Sequence, residues 1–297
     1  MVVADGSAIR VDPENHPDLF WAIRGGGGNF GVATRFQFRL HEVDTIVGGP
    51  LFLPATPDVI SGFIAEAQAA PEELSTIVNV MPAPPLPFLP VEHHGELVVM
   101  ALMAYAGPID DGERALAPFR DLATPIADMV GPMPYPELYP PEEEGYHPVA
   151  SIRTTFVDGI DRQAADTIVE RLRASTAEMG ITQLRVLGGA MARVPADATA
   201  FAHRSSPILA SAVAIYGRPE ERFVHEDWVA GLATELMRDG AGAYVGFIGD
   251  EGEERVRAAY PGRTWDRLAA IKGRYDPDNL FRLNQNVPPA PTRRPGA

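Results

Sequence analysis

The chain has 297 residues, 45% of them hydrophobic, with no cysteine and a formal charge of −15 from 25 basic and 40 acidic side chains. That length suits one large domain or two ordinary ones with a substantial core, and the absence of cysteine excludes disulfides, thiolate metal sites and cysteine nucleophiles. The acidic balance disfavours nucleic-acid and anionic-membrane partners, and without a signal-like start or an apolar run of spanning length a soluble, cytoplasmic protein is expected.

Residues 1–11 read as a hairpin, with Val2 to Ala4, a turn at Asp5-Gly6, and Ala8 to Val11. Pro17 suits a first helical position and Asp18 the first turn, so Leu19 to Arg24 is expected as a short helix. Gly25 to Gly28 follow, then Asn29, Phe30 and Gly31. Four glycines in a row free about a dozen ångströms of backbone from side chains, which suits close approach to a ligand or another segment. The alternative is a flexible surface loop. The spacing Gly26-x-Gly28-x-x-Gly31 formally matches a dinucleotide fingerprint, but that motif follows a strand and opens a helix. Here the order is reversed. Val32, Thr34, Phe36 and Phe38 alternate with Ala33, Arg35, Gln37 and Arg39, which predicts a strand after the glycines. No Gly-Lys-Ser/Thr occurs, so a P-loop is excluded.

From about Val47 helices and strands alternate. Thr56-Pro57 is a cap-plus-first-position signal, with Ile60, Phe63, Ile64 and Ala67 on one helical face. Leu97 to Tyr105 is an apolar run typical of a buried strand. Asp161 opens a helix carrying Ala164, Ala165, Ile168, Val169 and Leu172 on one face, with Gly180 as its expected stop. Gln183 to Leu187 and Ser211 to Tyr216 read as strands, and Val224, Trp228, Leu232 and Leu236 mark another helix. The pattern is that of an α+β domain with helices packed on one sheet. Two proline-rich stretches, Met81 to Pro90 and Gly131 to Pro141 (followed by Glu142, Glu143 and Glu144), read as rigid surface loops. No Gly-x-Ser-x-Gly elbow occurs, and no motif surrounds His147, His203 or His225.

Two longer stretches carry a resemblance. Asn15-His16-Pro17-Asp18-Leu19-Phe20-Trp21-Ala22-Ile23-Arg24-Gly25-Gly26-Gly27-Gly28-Asn29-Phe30-Gly31 and Tyr275-Asp276-Pro277-Asp278-Asn279-Leu280-Phe281-Arg282-Leu283-Asn284-Gln285-Asn286-Val287-Pro288-Pro289 lie near opposite ends of the chain. In that order they resemble the FAD-linked oxidases of the berberine-bridge-enzyme type, in the vanillyl-alcohol oxidase superfamily. The resemblance extends over essentially the whole chain and is weakest between about Pro54 and Ala241. It implies an α+β fold: 1–46 as the C-terminal part of a PCMH-type FAD-binding domain, 47–242 as a substrate domain, and 243–297 as a closing segment returning to the FAD domain. The substrate domain would be a mainly antiparallel sheet covered by helices. In that family the opening hairpin follows a region holding the pyrophosphate loop and the flavin-attaching histidine. Neither is present here, so the chain reads as N-terminally truncated.

Carried over residue by residue, the resemblance places Gly26, Gly27, Gly28, Asn29, Phe30, Gly31 and the backbone of Val32 against FAD. Asn284 and Asn286 would offer amides to the flavin ring or ribityl chain, amides matching its alternating donors and acceptors. The other account of these two asparagines is turn formation before Pro288-Pro289. Ala243-Tyr244-Val245-Gly246-Phe247 resembles the family's Tyr-x-Asn segment, which makes Tyr244 the candidate base on a substrate hydroxyl. Gly246 stands where the family has asparagine, and a structural tyrosine in a strand is the competing account of Tyr244. Asp276-Pro277-Asp278-Asn279 is a turn rather than a metal loop, so no metal is expected. The implied activity is FAD-dependent oxidation of an alcohol group on a sugar or secondary metabolite, impaired by the truncation. The alternative is a non-catalytic substrate-binding remnant, or a subunit completed by a separate chain carrying the FAD-binding region. A nicotinamide-dependent dehydrogenase rests on glycine spacing alone and fails on element order.

Overall fold

The computed structural model describes residues 1–139, 148–237 and 242–291. In chain order the elements are α1 (Pro17–Ala22), β1 (Thr45–Pro54), α2 (Pro57–Ala69), β2 (Leu74–Pro82), β3 (Leu97–Tyr105), α3 (Ile109–Arg120), β4 (Ala127–Asp128) and β5 (Gly131–Pro134). Then follow β6 (Val149–Val157), α4 (Arg162–Arg173), β7 (Met179–Val186), α5 (Gly189–Arg193), β8 (Ile208–Tyr216), α6 (Arg222–Leu236), α7 (Glu253–Ala259) and α8 (Arg263–Tyr275). The fold is mixed α and β, and every strand pairing among the described residues is antiparallel.

The chain divides into two compact units. One, the sheet unit, comprises His41–Met191 and Ser206–Gly240; the other, the glycine-loop unit, comprises Met1–Leu40, Ala192–Ser205 and Ala241–Ala297. Within the span 47–242, the sheet unit takes most residues and Ala192–Ser205 belongs to the glycine-loop unit. Ala192–Ser205 joins the glycine-loop unit because Trp21 Nε1 donates to Asp197 O and Phe201 N donates to Arg24 O.

In the sheet unit the strand order is β4-β1-β3-β2-β7-β8-β6, with β5 also paired to β1. Strand alternation sends Val78, Val80, Val99, Ala101, Leu184, Ala210 and Ala212 to one face, where they form a single core with Ile60 and Phe63 of α2, Leu116 of α3, Ile168 of α4 and Leu232 of α6. The caps work as expected. Thr56 Oγ1 accepts from Val59 N at 3.2 Å and Asp161 Oδ1 from Ala164 N at 2.9 Å, each such cap contributing about 1 kcal/mol. The opposite face is mixed: Phe52, Leu89 and Val98 form a smaller apolar cluster there, while Gln183 Nε2 donates to Asn79 Oδ1 and the Thr154 and Ser211 hydroxyls bond each other.

Several expectations are corrected. Val32 to Arg39 forms no strand. Only Val32 makes an isolated bridge, to Val2, while Phe36 and Phe38 stand 68% and 76% exposed. A strand is stabilised by the neighbour it pairs with, and no described segment lies alongside this one. α4 ends at Arg173, so Gly180 is not its stop but a buried position within β7. Gly131–Pro134, expected as loop, is the short strand β5, tolerated as proline-rich because it is paired on one side only. Pro140, Pro141 and the Glu142–Glu144 run lie outside the described residues. In α6 the buried face carries His225, Val229, Leu232, Ala233 and Leu236, while Val224 is exposed.

Candidate functional site

In the glycine-loop unit, α1 ends after Ala22, where the chain turns sharply across neighbouring backbone. Gly25 adopts φ +119°, and a Cβ there would fall 2.4 Å from Phe201 N. The glycine run is therefore a packed turn held by close approach, and the flexible-loop alternative falls away. Gly27 and Gly28 differ from their neighbours. A Cβ at Gly27 (φ +68°) would meet the Tyr260 hydroxyl at 3.4 Å and Val245 Cγ2 at 3.5 Å, and one at Gly28 the Asn284 amide nitrogen at 3.2 Å. At these two positions the nearest atoms belong to side chains instead of backbone.

Asn29 and Phe30 point inward, both almost fully buried. Asn29 Nδ2 donates to Gly26 O and Gln285 O at 2.9 and 3.1 Å, and its Oδ1 accepts from Val287 N at 2.9 Å. One side chain thus shapes the glycine turn and ties it to the closing segment, which brings Gly26 to Gly31 and Asn284 to Val287 side by side. Val32 stays half-exposed, its backbone paired to Val2.

A second tie runs through Lys272 on α8, fully buried together with Asp276. Its ammonium donates to Asn29 O at 2.8 Å, Asp276 Oδ2 at 2.7 Å and Phe281 O at 2.6 Å. Asp276 also accepts from Leu280 N and Phe281 N. Burial alone would raise the pKa of this carboxyl, but the Lys272 ammonium and the two backbone N–H groups hold it below the ordinary carboxylate range. The Asp276 oxygens are thereby committed to the turn that follows α8.

Buried polar atoms with no hydrogen-bond partner among the described residues include the Tyr260 hydroxyl and Asn286 Oδ1 beside these segments, and Asn279 Oδ1 in the turn after α8. Buried polar atoms are nearly always paired, so such orphans need an explanation. Burial and the nearby Tyr244 phenol push the Tyr260 pKa upward, so its hydroxyl stays protonated. Neither Tyr260 nor Lys272 was singled out in the sequence. Lys272 and Asp276 do stand four apart at the end of a helical stretch, a readable signal, whereas nothing in the sequence marks Tyr260.

Tyr244 is not in a strand. It precedes the 3₁₀ turn Val245–Phe247, half-buried, with its ring edge-on to Phe201 and Phe247 at centroid distances of 5.7 and 5.2 Å. Its hydroxyl makes no hydrogen bond among the described residues. Gly246, in place of the family's asparagine, sits against this ring, 2.9 Å separating a built Cβ from Tyr244 Cε1. His203 packs nearby under Gly242, and its Nε2 lies 3.1 Å from Ala258 O. Burial lowers its pKa, so the ring is neutral near pH 7.

The chain is similar to known proteins over nearly its whole length. Residues 243–288 match the family described as Berberine and berberine like. The chain is 29% identical over 300 residues to the uncharacterized FAD-linked oxidoreductase YgaK of Bacillus subtilis, covering 97% of this chain and 64% of that protein. It is 27% identical over 313 residues to (R)-6-hydroxynicotine oxidase of Paenarthrobacter nicotinovorans, with 97% and 64% covered. Among solved structures, 6-hydroxy-D-nicotine oxidase from Arthrobacter nicotinovorans superposes with a TM-score of 0.79 at 21% identity, covering 97% of this chain and 65% of that one. Xylooligosaccharide oxidase from Myceliophthora thermophila C1 superposes with a TM-score of 0.77 at 22% identity, with 98% and 65% covered. The fold is that of berberine-bridge-like, PCMH-type oxidases, and over nearly its whole length the chain is similar to FAD-linked oxidoreductases. It spans 64% of the length of YgaK and of the hydroxynicotine oxidase. Among the described residues no helix is long and apolar enough to cross a membrane.

Proposed function

We propose that this chain, a relative of the berberine-bridge-type FAD-linked oxidoreductases, forms part of the FAD site and the substrate-handling part of such an enzyme. Its substrate would be an alcohol group on a sugar or secondary metabolite. One observation carries the reading: the glycine turn and the Asn284–Val287 segment are tied together beside two orphaned polar atoms. The Tyr260 hydroxyl can donate to a flavin carbonyl or ring nitrogen, Asn286 Oδ1 can accept from a flavin N–H or ribityl hydroxyl, and the Asn284 amide can do either. This donor and acceptor set fits FAD.

When bound, FAD supplies a two-electron acceptor. The chain's own work is positional and acid–base. Asn29 and Lys272 hold the turn in one geometry, so the backbone meets its ligand without reorganising. Tyr244, whose hydroxyl is not engaged, would accept a hydrogen bond from the substrate hydroxyl and, once ionised to the phenolate, take its proton. FAD affinity is spread along the whole cofactor, at about tenfold per 1.4 kcal/mol, and the groups named here address its flavin end. In this reading the 297 residues by themselves hold FAD weakly, and a separate chain would complete the site.

The test is a visible absorbance titration of the purified chain with FAD, repeated after desalting. A flavin spectrum perturbed saturably by the protein and mostly lost on desalting is the expected result. A spectrum indistinguishable from free FAD at every protein concentration overturns the proposal.

A further inference from the structure

The sheet unit carries a cavity that the flavin reading does not use. It has a volume of about 440 Å³ and lies where β1, β3 and β2 run together, on the face away from the helices. The register pairs Ile77 with Leu102 and Ser75 with Ala104. Directly opposed residues of paired strands project to the same side, so these four line one surface while Ala101 and Met103 anchor the other. Ile46 of β1 extends this floor. The wall comes from Tyr135, Leu138 and Tyr139, carried over the sheet by the pairing of β5 with β1 (Thr45 opposite Pro134).

The polar lining groups are few: Ser75 on the floor, Thr76, Glu73 and the two tyrosines of the wall. The Tyr135 and Tyr139 hydroxyls lie 2.8 Å apart, so one donates to the other and the second proton remains for a ligand. Glu73 is the charged residue in the lining, which has no lysine, arginine or histidine among its described members. Cavities of roughly 300–1,000 Å³ with an apolar lining and a few convergent polar groups are the usual form of a small-molecule site.

We propose that this cavity binds a compact, ring-bearing organic molecule, neutral or singly positive, with its flat face on Ile77 and Leu102 and its polar substituent against Tyr135, Tyr139 and Glu73. A sugar would lay several hydroxyls on a floor whose one hydroxyl is that of Ser75, and desolvation penalises that arrangement. An anion would meet Glu73 and the field of a chain with formal charge −15. The proposal stands on the sheet unit alone and is independent of whether the chain binds FAD.

The experiment is isothermal titration of the full chain with three probes of one shape: 2-naphthylmethylamine, 2-naphthylmethanol and 2-naphthoate. The amine and the alcohol are expected to bind saturably at one site per chain, with the carboxylate about tenfold weaker or worse for its uncompensated charge. Ser75→Phe, which fills the cavity from an exposed lining position, is expected to abolish binding without moving the thermal midpoint. Should that variant unfold, Tyr139→Phe on the exposed wall carries the test, with the alcohol's affinity reduced severalfold. Absence of saturable binding by all three probes overturns the proposal, as does equal binding of the carboxylate. Undiminished binding by a folded Ser75→Phe or Tyr139→Phe variant does the same.

Discussion

Replacing Lys272 with methionine keeps the stem's volume and removes the charge that joins three segments of the glycine-loop unit. Asp276 would remain buried, still accepting from Leu280 N and Phe281 N but without its counter-charge, and Asn29 O and Phe281 O would each lose a donor. Removing one member of a buried ion pair costs about 3–5 kcal/mol, and each stranded buried acceptor about 1–3. The two backbone N–H groups that still solvate Asp276 argue for the lower end, so about 3–4 kcal/mol is expected. Urea unfolding followed by tryptophan fluorescence reads it, since Trp21 and Trp265 both lie in this unit's core. Adding Asp276→Asn removes the stranded charge. The double variant should therefore be less damaged than the two single losses summed, by a coupling of at least about 1 kcal/mol. A loss under about 1 kcal/mol for Lys272→Met, or strict additivity in the double variant, would refute the network's role.

Tyr260→Phe deletes a buried hydroxyl that has no partner, so stability should be unchanged or rise slightly while the FAD-induced spectral change weakens; a fall above about 1 kcal/mol would mean the hydroxyl is already paired. Thr56→Ala removes the acceptor for Val59 N and should cost about 1 kcal/mol by urea unfolding, with no effect on FAD titration. For His203 the sign follows from burial: its folded pKa lies below the ordinary 6.5. The unfolded chain therefore binds the extra proton, and the histidine's contribution to stability is lost as pH falls through about 6.5, levelling off below the folded pKa. The urea midpoint should drop more steeply between pH 7.5 and 5.5 in the parent than in His203→Gln, and identical slopes would count against a buried neutral ring.

What the sequence made legible was local. Thr56-Pro57 and Asp161 each start a helix through groups within three residues, and Leu97–Tyr105 is apolar enough to be a buried strand whatever lies beside it. The glycine run and the closing segment were legible as a pair by resemblance, and the structure brings them together through Asn29. What stayed hidden depends on partners remote in the chain. The alternation from Val32 to Phe38 has the right period for a strand and no neighbour to pair with, whereas proline-rich Gly131–Pro134 is a strand because β1 lies alongside. Tyr260 is invisible in sequence because its interest lies in a missing hydrogen bond, which exists only once the core has closed around it.

The Lys272–Asn29 bond spans 243 residues of sequence, and this bears on how the chain is made. During synthesis at about 5–20 residues per second, the glycine turn leaves the ribosome roughly 10–50 s before α8 can reach it. Over that interval Leu19, Trp21 and Phe30, all buried in the finished unit, have none of their α8 packing partners. The sheet unit can complete itself in the meantime, since its strands all precede Gly217. The order of birth is therefore the reverse of the order of closure: the glycine turn is made before the sheet unit and locked after it, and nascent-chain quality control would meet its apolar side chains still uncovered.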